Sequence, residues 1–120
     1  YTATVEGTGA KVAFKVITCK DPWQFEAAMA ESRRMKQLGG GDVVNFFDTR
    51  VVNVTLMPGG PRRYVMLFME AGIGNLDELG VQRSHELSLK VKLRLLVDII
   101  RGLRRLERRG CVHRDLKPEN

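Results

Sequence analysis

The first forty residues change from strand-like to helix-like spacing of their apolar side chains. Residues 1–5 and 11–18 are rich in valine, threonine and aromatic side chains, and this composition favours two β-strands. The segment between them, Glu6–Gly9, is typical of a turn because two of its residues are glycines. A helix from Pro22 to about Leu38 then follows, and its end is predicted at the glycine run 39–41.

The start and the faces of this helix can both be predicted from its residues. Asp21 can cap it and Gln24 occupies the third position of a capping box. At helical spacing one stripe is almost wholly apolar, and it consists of Phe25, Ala28, Met29, Ser32 and Met35. Glu31 lies at the edge of this stripe, whereas Glu26 points away from it. A carboxylate at the border of a buried face is a candidate functional group.

Strand patterns return after the helix. Residues 43–49 and 51–57 are predicted as two strands, and the turn 58–61 follows them. Residues 64–69 form a third strand that is almost continuously apolar, a pattern that suits a strand buried on both faces.

The last part of the chain is predicted to be helical. A glycine-bearing connector precedes a short helix over residues 76–79, and Ser88 caps a long helix that reaches about Arg109 and ends at Gly110. Its apolar stripe consists of Leu89, Leu93, Leu96, Ile100 and Leu103. Strands with one helix, a hinge and then helices predict an α+β fold with two unlike lobes.

Composition narrows the class of protein. With 120 residues, of which 43% are hydrophobic and 28% charged, the chain is typical of one modest globular domain. The densest apolar stretch, residues 87–100, is interrupted by charged side chains, so no membrane span is predicted. Cys19 and Cys111 lack metal-ligand spacing, which favours reduced thiols over a zinc site or a disulfide framework.

The positive charge is concentrated in the last third of the chain. The net charge is +6, and residues 1–79 are balanced, so the whole excess lies in residues 80–120. The basic residues of the long helix are Arg101, Arg104, Arg105, Arg108 and Arg109. They are interpreted either as a solvated helix face or as a docking surface for an acidic partner. No aromatic residue interleaves them, which argues against nucleic-acid binding by base stacking.

The most informative segment is HRDLKPEN at residues 113–120. Phosphoryl transfer to a hydroxyl needs a carboxylate to orient the hydroxyl and accept its proton, cations around the moving phosphoryl group, and hard oxygen ligands for Mg²⁺. Asp115 can supply the carboxylate and Lys117 the cation, while Asn120 offers an amide oxygen to the metal ion. Pro118 restricts the loop that holds these groups.

This segment resembles the catalytic loop of eukaryotic protein kinases, and three further motifs occur in the order that the family requires. Val12–Lys15 is similar to the family's V-A-I-K strand motif. Glu31, sixteen residues later, fits the helix glutamate that pairs with that lysine. Met69–Gly72 is similar to the gatekeeper and hinge. The resemblance covers the whole chain and predicts a kinase-like fold.

The resemblance implies a role for each matching residue. Lys15 would bind the phosphates of ATP and Glu31 would hold Lys15 by an ion pair. Ala13 and Met69 would border adenine, while the Glu70 carbonyl and the Gly72 N–H would form hydrogen bonds with it.

Other matching residues have structural or regulatory roles in the family. Met35, Phe46 and His113 match the hydrophobic spine between the lobes. Lys117 resembles the serine/threonine branch, and Arg114 resembles kinases regulated by activation-loop phosphorylation. The implied ligands are ATP, Mg²⁺ and a protein substrate.

The resemblance also predicts the organisation of the chain. Residues 1–69 would be part of the small lobe, 70–75 a hinge about one residue shorter than usual, and 76–120 the start of the large lobe. The glycine-rich loop and the D-F-G motif would lie outside these residues, so we expect a truncated, kinase-like domain that is inactive alone and leaves the stripe of the long helix exposed. A pseudokinase or scaffold, and a docking module built on the basic helix, are the alternatives.

Overall fold

The computed structural model describes residues 1–55, 60–83 and 87–119 and divides into two compact units. The first unit comprises Tyr1–Gly40 and Val44–Ala71, and the second comprises Gly41–Val43 and Gly72–Asn120. The first unit contains a sheet with one helix and the second contains helices, so the predicted α+β class is confirmed.

Four antiparallel strands form the sheet of the first unit. They are β1 (Thr2–Thr4), β2 (Lys11–Cys19), β3 (Phe46–Val54) and β4 (Arg62–Glu70), arranged in the order β1-β2-β4-β3. Strand β4 therefore has a partner on each side. This central position explains why Val65 and Leu67 are fully buried.

The prediction of two separate strands at 43–49 and 51–57 is wrong, because β3 runs without interruption from Phe46 to Val54. Strand β3 lies at an edge of the sheet, so the exposed Arg50 can stay in solvent while its backbone remains paired opposite Met66. A register irregularity between Phe46 and Asp48 marks the start of this pairing. Residues 56–59, which include the end of the second predicted strand and part of the predicted turn, lie outside the described residues.

The prediction that the strand at 64–69 is buried on both faces is only half right. Val65 and Leu67 are fully buried, whereas Tyr64, Met66 and Phe68 on the other face are half-buried. The buried face is the one that helix α1 (Pro22–Leu38) covers. The opposite face is covered by aromatic side chains, since Phe14 stacks on Phe68.

Helix α1 has the predicted cap and the predicted buried face. The Asp21 carboxylate accepts a hydrogen bond of 2.8 Å from the Gln24 backbone N–H, and the Gln24 side chain accepts one of 2.7 Å from the Lys20 N–H. Ala28 and Ser32 are buried, and the Ser32 hydroxyl pairs with the hydroxyl of Thr49 on β3. This hydrogen bond gives the single hydroxyl of the stripe a partner and links α1 to β3.

The core of the first unit is small. Its buried members are Cys19, Ala28, Val65 and Leu67, and partly buried side chains pack against them: Ile17, Phe25, Met29, Met35, Phe46 and Met69. Both cysteines of the chain, Cys19 and Cys111, are free thiols.

The second unit contains α2 (Leu76–Arg83), twice as long as predicted, and α3 (Leu89–Glu107). Ser88 caps α3 by accepting a hydrogen bond from the Val91 N–H, and Gly110 adopts a φ of 66° just beyond its end. Neither α3 nor any other described helix is long and apolar enough to cross a membrane.

Most of the apolar stripe of α3 is exposed, as expected. The exposed fractions are 72% for Leu89, 53% for Leu93, 52% for Leu96 and 46% for Ile100. Leu95, Ile99 and Leu106 are half-buried and Gly102 is buried, so the helix packs within its unit through a neighbouring face.

Candidate active site

Lys15 and Glu31 form the ion pair that the sequence analysis expected. The Lys15 Nζ lies 2.8 Å from the Glu31 Oε1, although the two residues are sixteen positions apart. Strand β2 supplies the lysine and α1 supplies the glutamate from the edge of its buried stripe. The Lys15 side chain is 55% exposed and that of Glu31 is 34% exposed. An ion pair with this exposure stabilises the fold little, and its main effect is to fix the position of the ammonium group.

Ala13 and Met69 lie beside this pair on the same face of the sheet. Ala13 pairs with Met69 across β2 and β4, and Lys15 pairs with Leu67 in the same register. Directly opposed residues of antiparallel strands project from one face, as do residues two positions apart. Phe46 pairs with Met69 from the other side. The sheet thus brings the two candidate adenine-bordering residues together next to the lysine.

Glu70 is held at the end of β4 by Asn45, a residue that the sequence analysis missed. The Glu70 Oε2 accepts hydrogen bonds from the Asn45 Nδ2 at 2.9 Å and from the Asn45 backbone N at 3.2 Å. The Glu70 N–H in turn donates to the Asn45 carbonyl at 2.8 Å. These bonds join residues 25 positions apart, so no local pattern could have indicated them. Gly72, the other candidate hinge residue, is exposed and belongs to the second unit.

The second unit contains Asp115 and Lys117. Their charged groups are 3.3 Å apart, with 67% of the Asp115 side chain and 48% of the Lys117 side chain exposed. The Asp115 N–H donates a hydrogen bond of 3.3 Å to the Nδ1 of His113, which is itself exposed. The loop thus places a carboxylate and an ammonium group side by side in solvent.

The backbone of this loop is strained and anchored. Arg114 has a φ of 63°, a left-handed conformation that costs a residue other than glycine ~1–3 kcal/mol. Such strain persists only where surrounding contacts impose it, and it is concentrated at functional sites. Pro118 provides one such contact, since its carbonyl accepts a hydrogen bond of 3.1 Å from the Asp77 N–H in the first turn of α2.

Asn75 orients the helix that anchors the loop. Its Oδ1 accepts a hydrogen bond of 2.8 Å from the Glu78 N–H, and its Nδ2 donates one of 3.3 Å to the Glu78 side chain. This reciprocal pattern resembles a capping box, and the spacing of Asn75 and Glu78 was a signal that the sequence analysis did not use.

Asn120, the candidate Mg²⁺ ligand, lies outside the described residues. Within residues 1–55, 60–83 and 87–119, no three histidine, cysteine, aspartate or glutamate side chains cluster as a protein metal site would require. The described part of the 113–120 segment contributes two acidic side chains, Asp115 and Glu119.

Comparison with known proteins gives consistent matches. The sequence profile described as protein tyrosine and serine/threonine kinase matches residues 1–120. Human mitogen-activated protein kinase 12 is 33% identical over 98% of this chain, and the Drosophila melanogaster mitogen-activated protein kinase p38b is 29% identical over 98%. Human receptor-interacting serine/threonine-protein kinase 1 is 33% identical over 79% of the chain. The chain spans 32% of each of the first two relatives and 13% of the third.

Proposed function

This chain belongs to the protein tyrosine and serine/threonine kinase family, and on that premise we propose that the protein carrying it transfers the γ-phosphoryl group of ATP to serine and threonine hydroxyls of protein substrates. The Lys15–Glu31 ion pair carries the proposal, because it joins two elements through the two residues that the kinase motifs require. The relatives support the serine/threonine class, since one of them is a receptor-interacting serine/threonine-protein kinase.

Lys15 and its neighbours provide the nucleotide-binding half of the proposed site. The Lys15 ammonium group is accessible and already oriented by Glu31, which suits binding to phosphate oxygens. Ala13 and Met69 border the adenine ring, and the Glu70 carbonyl and the Gly72 N–H are its hydrogen-bonding partners. The bonds from Asn45 support this assignment because they fix the end of the strand from which the Glu70 carbonyl projects.

Asp115 and Lys117 provide the catalytic half. Asp115 accepts the proton of the substrate hydroxyl while the hydroxyl oxygen bonds to the γ-phosphorus and the bond from phosphorus to the ADP oxygen breaks. Lys117, 3.3 Å from Asp115, offsets negative charge on the phosphoryl oxygens. ATP and Mg²⁺, when bound, supply the transferable group and neutralise its charge. The accessible carboxylate and lysine groups fit this chemistry, and Asn120 would hold the metal ion through its amide oxygen.

The test compares two variants of the protein that carries this chain. Lys15→Met removes the phosphate-binding charge, and Asp115→Asn keeps the shape of the side chain but removes the proton acceptor. General-base catalysis contributes ~10²–10⁴-fold, so Asp115→Asn should lower turnover by that factor while ATP still binds. Lys15→Met should nearly abolish transfer of labelled phosphate to a serine-containing substrate.

The same experiment distinguishes an active kinase from a scaffold that does not catalyse phosphate transfer. If the unmodified protein binds ATP but transfers no phosphate, or if both variants keep the original turnover, the catalytic proposal fails. Phosphate transfer to tyrosine and not to serine or threonine would contradict the proposed substrate class.

A further inference from the structure

The second unit contains a recess with a strongly basic lining. Its volume is about 500 Å³, and it lies among Asp42, Arg101, Arg104, Arg105, Arg108 and Arg109. All six residues belong to this unit. The proposed phosphoryl transfer uses none of them, so the recess needs a separate explanation.

Two glycines allow this recess to form. A Cβ atom on Gly102 of α3 would lie 2.8 Å from the Asp42 carbonyl oxygen, closer than such contacts occur. A Cβ atom on Gly41, whose φ is 64°, would lie 2.9 Å from a guanidinium nitrogen of Arg105. Because Gly102 has no side chain, the 41–43 loop can approach the helix and enclose the space beside the arginines, and Gly41 supplies the left-handed backbone of that loop.

The positive charge of the recess is only partly compensated. Arg101 donates a hydrogen bond of 3.1 Å to Asp98, and Asp42 is the one acidic residue of the lining. The negative end of a helix dipole is equivalent to roughly half a charge. These negative groups leave Arg104 and Arg108 without an ion pair among the described residues.

Arg104 and Arg108 are the clearest unused donors. Both are exposed, and within the described residues neither side chain makes a hydrogen bond or an ion pair. They lie four residues apart on the helix, where like charges repel each other. An anion placed between them would remove this repulsion and satisfy both groups.

We propose that the arginine recess docks a glutamate- or aspartate-rich segment of a partner protein. From Arg101 to Arg108 the helix advances by about 10 Å. An extended peptide advances ~3.3 Å per residue, so the length spanned by these arginines equals that of a few consecutive acidic residues. Guanidinium groups bind carboxylates through two parallel hydrogen bonds.

The lining favours this partner over other anions. It contains no aromatic side chain, and aromatic side chains are the usual platform on which single-stranded nucleic acids stack their bases. A single phosphate group would contact only one or two of the arginines, whereas the arginines extend over successive helical turns. The proposal concerns binding and does not depend on the catalytic proposal.

The experiment measures binding of a fluorescein-labelled oligoglutamate peptide to the protein that carries this chain, by fluorescence anisotropy at low salt. The test variant is Arg104→Gln with Arg108→Gln. The matched control is Arg33→Gln with Arg34→Gln, which removes the same charge from exposed residues of α1. We expect the test variant to weaken binding by about tenfold or more and the control to change it by less than about twofold.

Three results would overturn the proposal. An equal loss of affinity in the two double variants would mean that peptide binding depends only on the net charge of the protein. Tighter binding of an oligothymidine of equal charge would indicate a nucleic-acid surface, and tighter binding of a peptide with one phosphoserine among glutamines would indicate a phosphate site. Circular dichroism of both variants checks that α3 is retained, and kinase activity distinguishes failure of docking from failure of catalysis.

Discussion

Replacing Glu31 by glutamine separates the proposed catalytic role of the Lys15–Glu31 pair from its structural role. The charged atoms are 2.8 Å apart, but 55% of the lysine side chain and 34% of the glutamate side chain are exposed. Ion pairs in such positions contribute ~0–1 kcal/mol to the free energy of unfolding. The substitution should therefore leave folding almost unchanged.

The effect on catalysis should be much larger. Without the carboxylate, the Lys15 ammonium group would lose the partner that fixes its position in the proposed nucleotide site, and misplacement of a catalytic group by ~1 Å can cost about 10²-fold in rate. We expect Glu31→Gln to lower turnover by about this factor. Combined with Lys15→Met it should add little further loss, because both substitutions remove one interaction.

The assay measures transfer of labelled phosphate and, in parallel, urea-induced unfolding. Glu26→Gln is the matched control, since Glu26 is exposed on the same helix and makes the same change of charge. Equal turnover of Glu31→Gln and Glu26→Gln would contradict the proposed role of the ion pair. A loss of activity in Glu31→Gln that only follows a large loss of stability would contradict it as well.

Two further predictions concern the end of β4 and the exposed face of α3. Asn45→Ala removes a hydrogen-bond donor to the Glu70 carboxylate, which is worth about 1 kcal/mol. The Michaelis constant for ATP should therefore rise roughly fivefold, whereas the control variant Asn53→Ala, at the far end of β3, should leave it unchanged. Equal Michaelis constants in the two variants would contradict the role of Asn45. The isolated 120-residue chain should bind an apolar dye and lack a cooperative calorimetric transition. Each exposed leucine loses up to ~1.5–3 kcal/mol of burial free energy, and the free energy of unfolding of a typical domain is only ~5–15 kcal/mol. A sharp transition without dye binding would contradict this expectation.

Local sequence patterns predicted most of the helices and strands and part of the candidate nucleotide site. Asp21 and Ser88 cap α1 and α3 as predicted, because a cap depends on residues within one turn of the helix. Glu31 was singled out because helical spacing put it at the edge of a buried stripe. Its contact with Lys15 then followed from the family's motif order, and the structure contains that ion pair.

Strand boundaries were predicted less well. The two predicted strands were divided at Arg50. A polar residue ends an edge strand only where its own backbone stops pairing with the neighbouring strand. The backbone of Arg50 remains paired with β4, so β3 continues through it. Whether a strand is central or at an edge depends on which strands pair with it, and the pattern of a single strand does not contain that information.

The sequence by itself determined the family motifs, the helix caps, the buried stripe of α1 and the excess of positive charge in the last third of the chain, because each depends on residues close together in the chain or on composition. Only the tertiary structure decided that Asn45 holds Glu70 and that Asp42 lies among the arginines of α3. These contacts join distant parts of the chain, and they form where backbones approach closely, as at Gly102. Such approaches depend on how strands and helices pack, which side-chain periodicity does not specify.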